Sequence, residues 1–307
     1  MSARTNGPMI GIALTPGSVD ASGGRLGPSW RREVELHGGA NGGREALGGV
    51  LEEIRRTGGV ESPSIAVALL SPFAEVRAIA LPPLSESDRN QFLARNAARY
   101  FVGARGPQVV GSLAAASFSN GTASSVIAAS SPHQVIATVH AAALAAGCTV
   151  RSIVPAEAAW AAAARTIWPV AARGTAHVAV VHADHTDLLT LSSGMLDGVR
   201  RFRGAADAVQ IAGTAGSARV AVFGVAEAAG TLAAALASRG VLVLVPDAEW
   251  ADLTRRPAAL AARFAAQADA LRIRSDESRE ADRDAVRSAL WWCAGATAAV
   301  LLVAAAV

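Results

Sequence analysis

"VRAIALPPLSESDRNQFLARNAARYFVG", residues 76–103, changes its local period halfway along. The run 74–82 reads as a strand, and the prolines of "LPPL" then hold the chain extended in a turn. From Ser85 the period becomes helical. Ser85 is a good N-cap, Asp88 stands at the third helical position, and Phe92, Ala97 and Phe101 recur on one face, which predicts a helix over 85–101. Outward from this piece the pattern continues. "SIAVALL" (64–70) is a strand before it, and 108–118 with 122–130 form an antiparallel pair around the turn 119–121 after it. "SPHQVIATVHAAALAAG" (131–147) is then a helix, with Ser131 as cap, Pro132 in the first helical position, Gln134 completing a capping box and Gly147 as the stop. "TVRSIV" (149–154) and an alanine-rich helix (156–167) follow. Upstream lie a strand at 9–15 running into a Pro-Gly-Ser turn, a strand at 30–37 and a helix at 44–57.

The second half repeats the scheme. A strand, turn and strand run from Ala176 to the arginine-rich edge "RRFR" (200–203), followed by a strand, a helix and a strand across 219–245 with Gly240 as the helix stop. Two halves that each open on strand pairs and continue with helices and strands make an α/β protein of two related lobes. The boundary falls between Pro169 and Gly174.

Composition bounds the function. The chain has 307 residues, long enough for two compact units. All 28 basic residues are arginine, so neither a P-loop lysine nor a Schiff-base lysine exists here. Against 25 acidic residues the charge is nearly balanced, and aromatics are only 5%, which argues against nucleic acid as a partner. Cys148 and Cys293 are too few for a zinc framework or a disulfide scaffold. No basic stretch with a long apolar core opens the chain, so a secretory signal is not expected.

"SALWWCAGATAAVLLVAAAV", residues 288–307, carries no charge, and as a helix it would span about 30 Å, the thickness of a bilayer's hydrocarbon core. Arg287, Trp291 and Trp292 sit at its entry as membrane-interface residues, and Arg272, Arg274, Arg279 and Arg283 precede them. The positive-inside rule then puts the N-terminal bulk in the cytoplasm. A single-pass inner-membrane span at 288–307 is the expectation, with further chain expected beyond it.

In order and content, four stretches resemble the PilM and GspL family of type IV pilus assembly and type II secretion proteins, which have the actin-like fold. They are "IGIALTPGSVDA" (10–21), the 76–103 piece, "AAGCTVRSIVPAEAAWAAAAR" (145–165) and "VAVFGVAEAAGTLAAALASRGVLVLV" (220–245), and together they cover most of residues 9–245. The resemblance implies a degenerate actin-like, ribonuclease H-like two-lobe fold followed by a transmembrane helix. The first lobe would be 1–174 with an inserted subdomain around 83–122. A reduced second lobe (175–257), a juxtamembrane helix (258–287) and the span (288–307) would follow.

Phosphate binding in such a fold needs carboxylates that order magnesium and turns whose N–H groups cradle the phosphates. The first turn keeps Thr15, Gly17 and Ser18, but Ala13 stands where the acid belongs. The second turn offers Asp184 and Thr186 without an Asp-x-Gly, and Gly224 remains on the adenosine side. About fifteen residues between Arg203 and Arg219 are too few for the family's small clamp subdomain. These six residues therefore read as a vestigial nucleotide site: no cofactor, at most weak ATP binding, and no catalysis. "HADHTD" (182–187) is not expected to bind metal, because alternation along one strand would put His182 and Asp184 on one face and His185 and Asp187 on the other.

By resemblance the chain is a non-enzymatic, membrane-anchored scaffold. It would couple a cytoplasmic assembly ATPase to the inner-membrane platform proteins of a secretion or pilus machine. Leu81, Pro82, Pro83, Leu84, Arg200, Arg201 and Arg203 are the candidate partner contacts, and homodimerisation through the juxtamembrane helix or anchor is a further expectation. The alternative is an ATP-binding or ATP-hydrolysing actin-like protein of the sugar-kinase-like superfamily.

Overall fold

Strands covered on both faces need apolar side chains at every position. In the computed structural model, which describes residues 9–27, 29–36, 40–119, 124–204, 207–268 and 271–274, the central strands follow that rule. β1 (Met9–Leu14) is buried from Ile10 onward, and β4 (Ser64–Leu69) is buried throughout. They pair in parallel and β4 pairs in parallel with β8 (Thr149–Pro155), while β2 (Ser18–Ser22) lies antiparallel to β1. The edge strand β3 (Trp30–Glu33) carries the charges, which discourages edge-to-edge association. The sheet order is β3-β2-β1-β4-β8.

A second sheet has the same plan. β9 (Thr175–Val181), β10 (His185–Ser192) and β11 (Met195–Arg203) are antiparallel, and β12 (Arg219–Gly224) and β13 (Val243–Leu244) add in parallel, giving the order β11-β10-β9-β12-β13. The two sheets share one apolar core that runs from Ile10 and Val67 through Trp160 to Val178, Leu189 and Phe223. Between them lies α5 (Ala156–Ile167), whose alanines are buried from Ala156 to Ala164. Small side chains let a helix fit where larger ones would force the sheets apart. α1 (Ala40–Gly58) and α4 (His133–Ala145) pack together beside the first sheet, while α6 (Ala208–Ala215) and α7 (Ala226–Ala237) pack together beside the second. Among the described residues, α6 is the one element between β11 and β12.

The insertion is wider than 83–122. β5 (Glu75–Leu81), β7 (Ser124–Pro132) and β6 (Gln108–Ser119) form an antiparallel sheet of their own, with α2 (Glu86–Arg95) and α3 (Ala97–Tyr100) over it. Ser85 caps α2 as expected, accepting from the Asp88 N–H. The predicted 85–101 helix breaks at Asn96, and its buried face is Asn90, Leu93, Ala97 and Phe101, one step from the Phe92 register. Ser131 is no cap: it is fully buried in β7, and α4 starts at His133 with Pro132 before it.

The largest departure is at the C-terminal end of the body. Residues 1–273 group as one compact unit, and 274–307 are assigned to a second. α8 (Ala248–Thr254) leads to α9 (Pro257–Phe264), which is no juxtamembrane helix. Ala259, Leu260, Ala261, Ala262 and Phe264 are buried against β1, β2 and α5. A Cβ at Gly11 would overlap the Ala262 carbonyl oxygen, so a side-chain-free position in β1 is what admits α9. Further on, Leu271 and Ile273 are buried, the Ile273 N–H donates to the Ile153 carbonyl, and Arg272 runs so close to Gly111 that a Cβ there would overlap its carbonyl. The apolar run 288–307, with Arg287, Trp291 and Trp292, lies outside the described residues, and among the described residues no helix is long and apolar enough to cross a membrane.

Candidate functional site

The turn after β1 is bonded within itself through Thr15 and Ser18. The Ser18 N–H donates to Thr15 Oγ1 (2.9 Å), the Thr15 N–H to the Ser18 carbonyl (3.0 Å), and the two hydroxyls lie 2.8 Å apart. The Pro16 and Gly17 carbonyls accept from Leu36 and Val34. A phosphate cradle needs N–H groups left free to point at an anion. Here a compact self-bonded turn takes that place, and Gly17 has open space around it. Gly224 answers to packing: with φ +139° it lets β12 approach β9, where a Cβ would press on Val181.

The second turn assembles a polar cluster. Val181 and Thr186 are the last paired residues of β9 and β10, and the His182 N–H donates to the His185 carbonyl across Ala183 and Asp184. Cross-strand neighbours share a face. The hairpin therefore reverses the parity that holds along one strand, and His182 stacks on His185 with ring centroids 4.3 Å apart. Asp187, two residues on from His185, points the same way. The metal-excluding alternation of His182 and His185 is thus overturned: His182 Nε2 and His185 Nε2 lie 3.5 and 3.4 Å from Asp187 Oδ2. Asp184, by contrast, is exposed and accepts from His185 Nδ1 at 2.6 Å, while Thr186 is fully buried.

Arg201 completes the cluster. The β10–β11 register sets it directly opposite Asp187. Its Nε and Nη2 donate to the two carboxylate oxygens at 2.7 and 3.0 Å, the side-by-side geometry that makes arginine–carboxylate pairs strong. Its Nη1 donates to Ser71 Oγ (3.0 Å) just beyond β4, and Nη2 lies 3.7 Å from Glu157 at the start of α5. One guanidinium on the second sheet thus reaches both a loop of the first sheet and the first turn of the helix between them. In open α/β sheets that zone, beyond the carboxyl ends of parallel strands, is where ligands sit.

The charges there are mutually committed. Burial raises the Asp187 carboxyl, but His182, His185 and Arg201 more than reverse this and hold it well below the usual carboxylate range. Burial first, and then the Asp187 charge, push Glu157 up to about 8, so at neutral pH it is largely protonated. Asp187 and Asp184 raise His185 against its burial. Asp187 is 1% exposed and Glu157 4% by side chain, so neither carboxylate has room beside it for magnesium with its shell of waters.

Arg201 is thus a structural cation as well as a surface residue. Arg200 and Arg203 remain exposed, with Arg200 donating to Thr214, and they border a cleft of about 630 Å3 with Glu75, Phe101 and Gln108. Leu81 is buried in the insertion's own core with Leu93, Phe101 and Val126, which removes it as a contact residue, whereas Pro82, Pro83 and Leu84 are exposed. The roles of Glu157 and Asp187 were missed in sequence. For Glu157 a signal existed: a lone acid at the head of an alanine-rich helix.

No protein-family model and no curated protein matches the chain. Solved structures do. A chain of the PilM-PilN type IV pilus biogenesis complex is similar over 87% of this chain and 99% of its own, at 14% identity and a TM-score of 0.61. A protein with actin-like ATPase fold and unknown function from Bacteroides thetaiotaomicron matches over 86% and 96%, at 11% identity and 0.50. The cytoplasmic domain of EpsL, an inner membrane component of the type II secretion system of Vibrio cholerae, matches over 85% and 94%, at 12% identity and 0.41. At these identities the likeness is one of fold, and the fold is actin-like.

Proposed function

We propose that this chain is a non-enzymatic scaffold, tethered to the inner membrane by 288–307. It would hold a cytoplasmic assembly ATPase beside the membrane components of a type II secretion or type IV pilus machine. The observation that carries the reading is Arg201. In an actin-like fold, the space between the sheets is where a nucleotide would have to enter, and here one arginine ties Asp187, Glu157 and Ser71 together across it. A hinged ATPase needs that space free and its carboxylates available to a hydrated cation. A scaffold benefits from the reverse, since a body that does not open presents its surfaces in fixed relation.

The likeness to a chain of a pilus biogenesis complex supports the same reading, as does the uncharged segment at the end of the chain. Confinement to the membrane plane would let individually weak contacts act at high effective concentration. The exposed Pro82–Leu84 turn and Arg200 and Arg203 are the surfaces offered to partners. In a Gram-negative host the full chain is expected in the inner-membrane fraction, resisting extraction by high salt and alkaline carbonate. A chain cut after Arg287 is expected in the soluble fraction. A full chain that washes off with salt, or a truncated one that stays bound through carbonate, would contradict the tether.

A further inference from the structure

The hairpin end between β9 and β10 is built like a metal site. His182 Nε2 and His185 Nε2 are both buried and have no hydrogen-bond partner of normal geometry, a costly state for a polar atom. Both lie close to one oxygen of Asp187, which is itself buried. A tetrahedral ion with bonds of about 2.0–2.1 Å holds its ligand atoms about 3.4 Å apart. The two nitrogen-to-oxygen separations, 3.5 and 3.4 Å, match that edge.

The outer contacts agree. The Asp184 carboxylate lies 2.6 Å from His185 Nδ1 and fixes the proton there, which turns the Nε2 lone pair inward. A carboxylate on the far nitrogen is the usual companion of a metal-bound histidine. Arg201 takes both oxygens of Asp187, but a carboxylate oxygen has two lone pairs, so Oδ2 can accept from Nη2 and still bind an ion.

We propose that His182, His185 and Asp187 form a binding site for a borderline divalent transition ion of the zinc class, with the fourth position left to water. Two imidazoles and one carboxylate suit zinc, cobalt or nickel better than magnesium or calcium. The rings, now 17° from parallel, turn out of their stack so that both lone pairs meet the ion. The bound ion pins the β9–β10 turn to the buried end of the Arg201 network. This does not depend on the scaffold reading.

The test uses the full, tag-free chain in detergent, stripped by chelator and titrated with Co2+ and then Zn2+ at about pH 8, because metal binding releases protons and is favoured by alkaline buffer. A single equivalent of Co2+ is expected to give the intense visible bands of tetrahedral coordination, and Zn2+ should displace it. His182→Ala and His185→Ala should each weaken binding by about 100-fold or more, and Asp184→Asn by about 10-fold, with far-UV circular dichroism unchanged. His133→Ala, at an exposed histidine, should leave it unaltered. Absence of tetrahedral bands, or binding that survives both histidine substitutions, overturns the proposal.

Discussion

Replacing Arg201 with alanine is expected to lower the stability of the chain by about 3 kcal/mol, the lower end of what is lost when one partner of a buried pair is removed. The lower end applies because Arg201 is 38% exposed and water reaches its outer side. Asp187 would remain, 1% exposed, with its charge facing Glu157 and two imidazoles. A double substitution, Arg201→Leu with Asp187→Leu, should recover much of the loss, because the cost lies in the stranded charge more than in the missing contact. Denaturant melts of the three variants measure this. A loss under about 0.5 kcal/mol for Arg201→Ala, the level of an ordinary surface change, would mean that the guanidinium does not hold the cleft.

The same network sets a pH dependence of known sign. Glu157 has a folded pKa near 8 against an ordinary value of 4.5, so the folded state holds its proton more tightly than the unfolded chain. Its contribution is full below about 4.5 and declines as pH rises towards 8. In chelator-treated protein Glu157→Gln should therefore flatten the loss of stability across that window.

The second large effect is expected at two glycines. Gly111→Val and Gly11→Ala each place atoms on a carbonyl of the returning C-terminal segment, and both collisions are with backbone, which cannot rotate aside. Gly11→Ala should cost about 3 kcal/mol, towards the upper range for overpacking. Gly111→Val should expel Arg272 and with it the buried Leu271 and Ile273, each contributing about 1.5–3 kcal/mol when buried. Trypsin cleavage after Arg272 under native conditions should then accelerate on the order of 100-fold, the factor that a 3 kcal/mol shift in local opening implies. Gly17→Ala, with nothing within 4 Å of the added methyl, is the control and should change stability by less than about 0.5 kcal/mol. If Gly111→Val left cleavage unchanged, the 271–273 segment would not be docked as described. The point bears on function, because that segment ties the end of the body to the chain leading into the apolar run.

The parts of this architecture legible in sequence are those governed by one local rule. Strands β1, β4 and β8 and helix α5 fall within a residue or two of their predicted limits, because continuous apolar runs and an alanine block between Pro155 and Trp168 leave little choice. What escaped depends on contacts between segments. The face shared by His182 and His185 follows from a two-residue turn, and parity along a single strand predicts the opposite. Ser131 has the composition of a cap, yet pairing with Val109 carries β7 past it. "AALAARF" (258–264) reads as the start of a long alanine- and arginine-rich helix, and Gly11, some 250 residues earlier, makes room for it in the core. Arg201 looks like one of several edge arginines until the register sets it against Asp187. Thr15 and Ser18 lie in the turn that follows β1, but the hydrogen bonds that close them on one another are a property of folded geometry.

Calorimetric titration of Mg-ATP into the full chain in detergent tests the central claim most directly. With Thr15 and Ser18 bonded to each other and Arg201 holding the carboxylates, no binding heat is expected up to millimolar nucleotide. Binding at micromolar strength would contradict the account: the network would have to open for a ligand, and the chain would be a nucleotide-driven device.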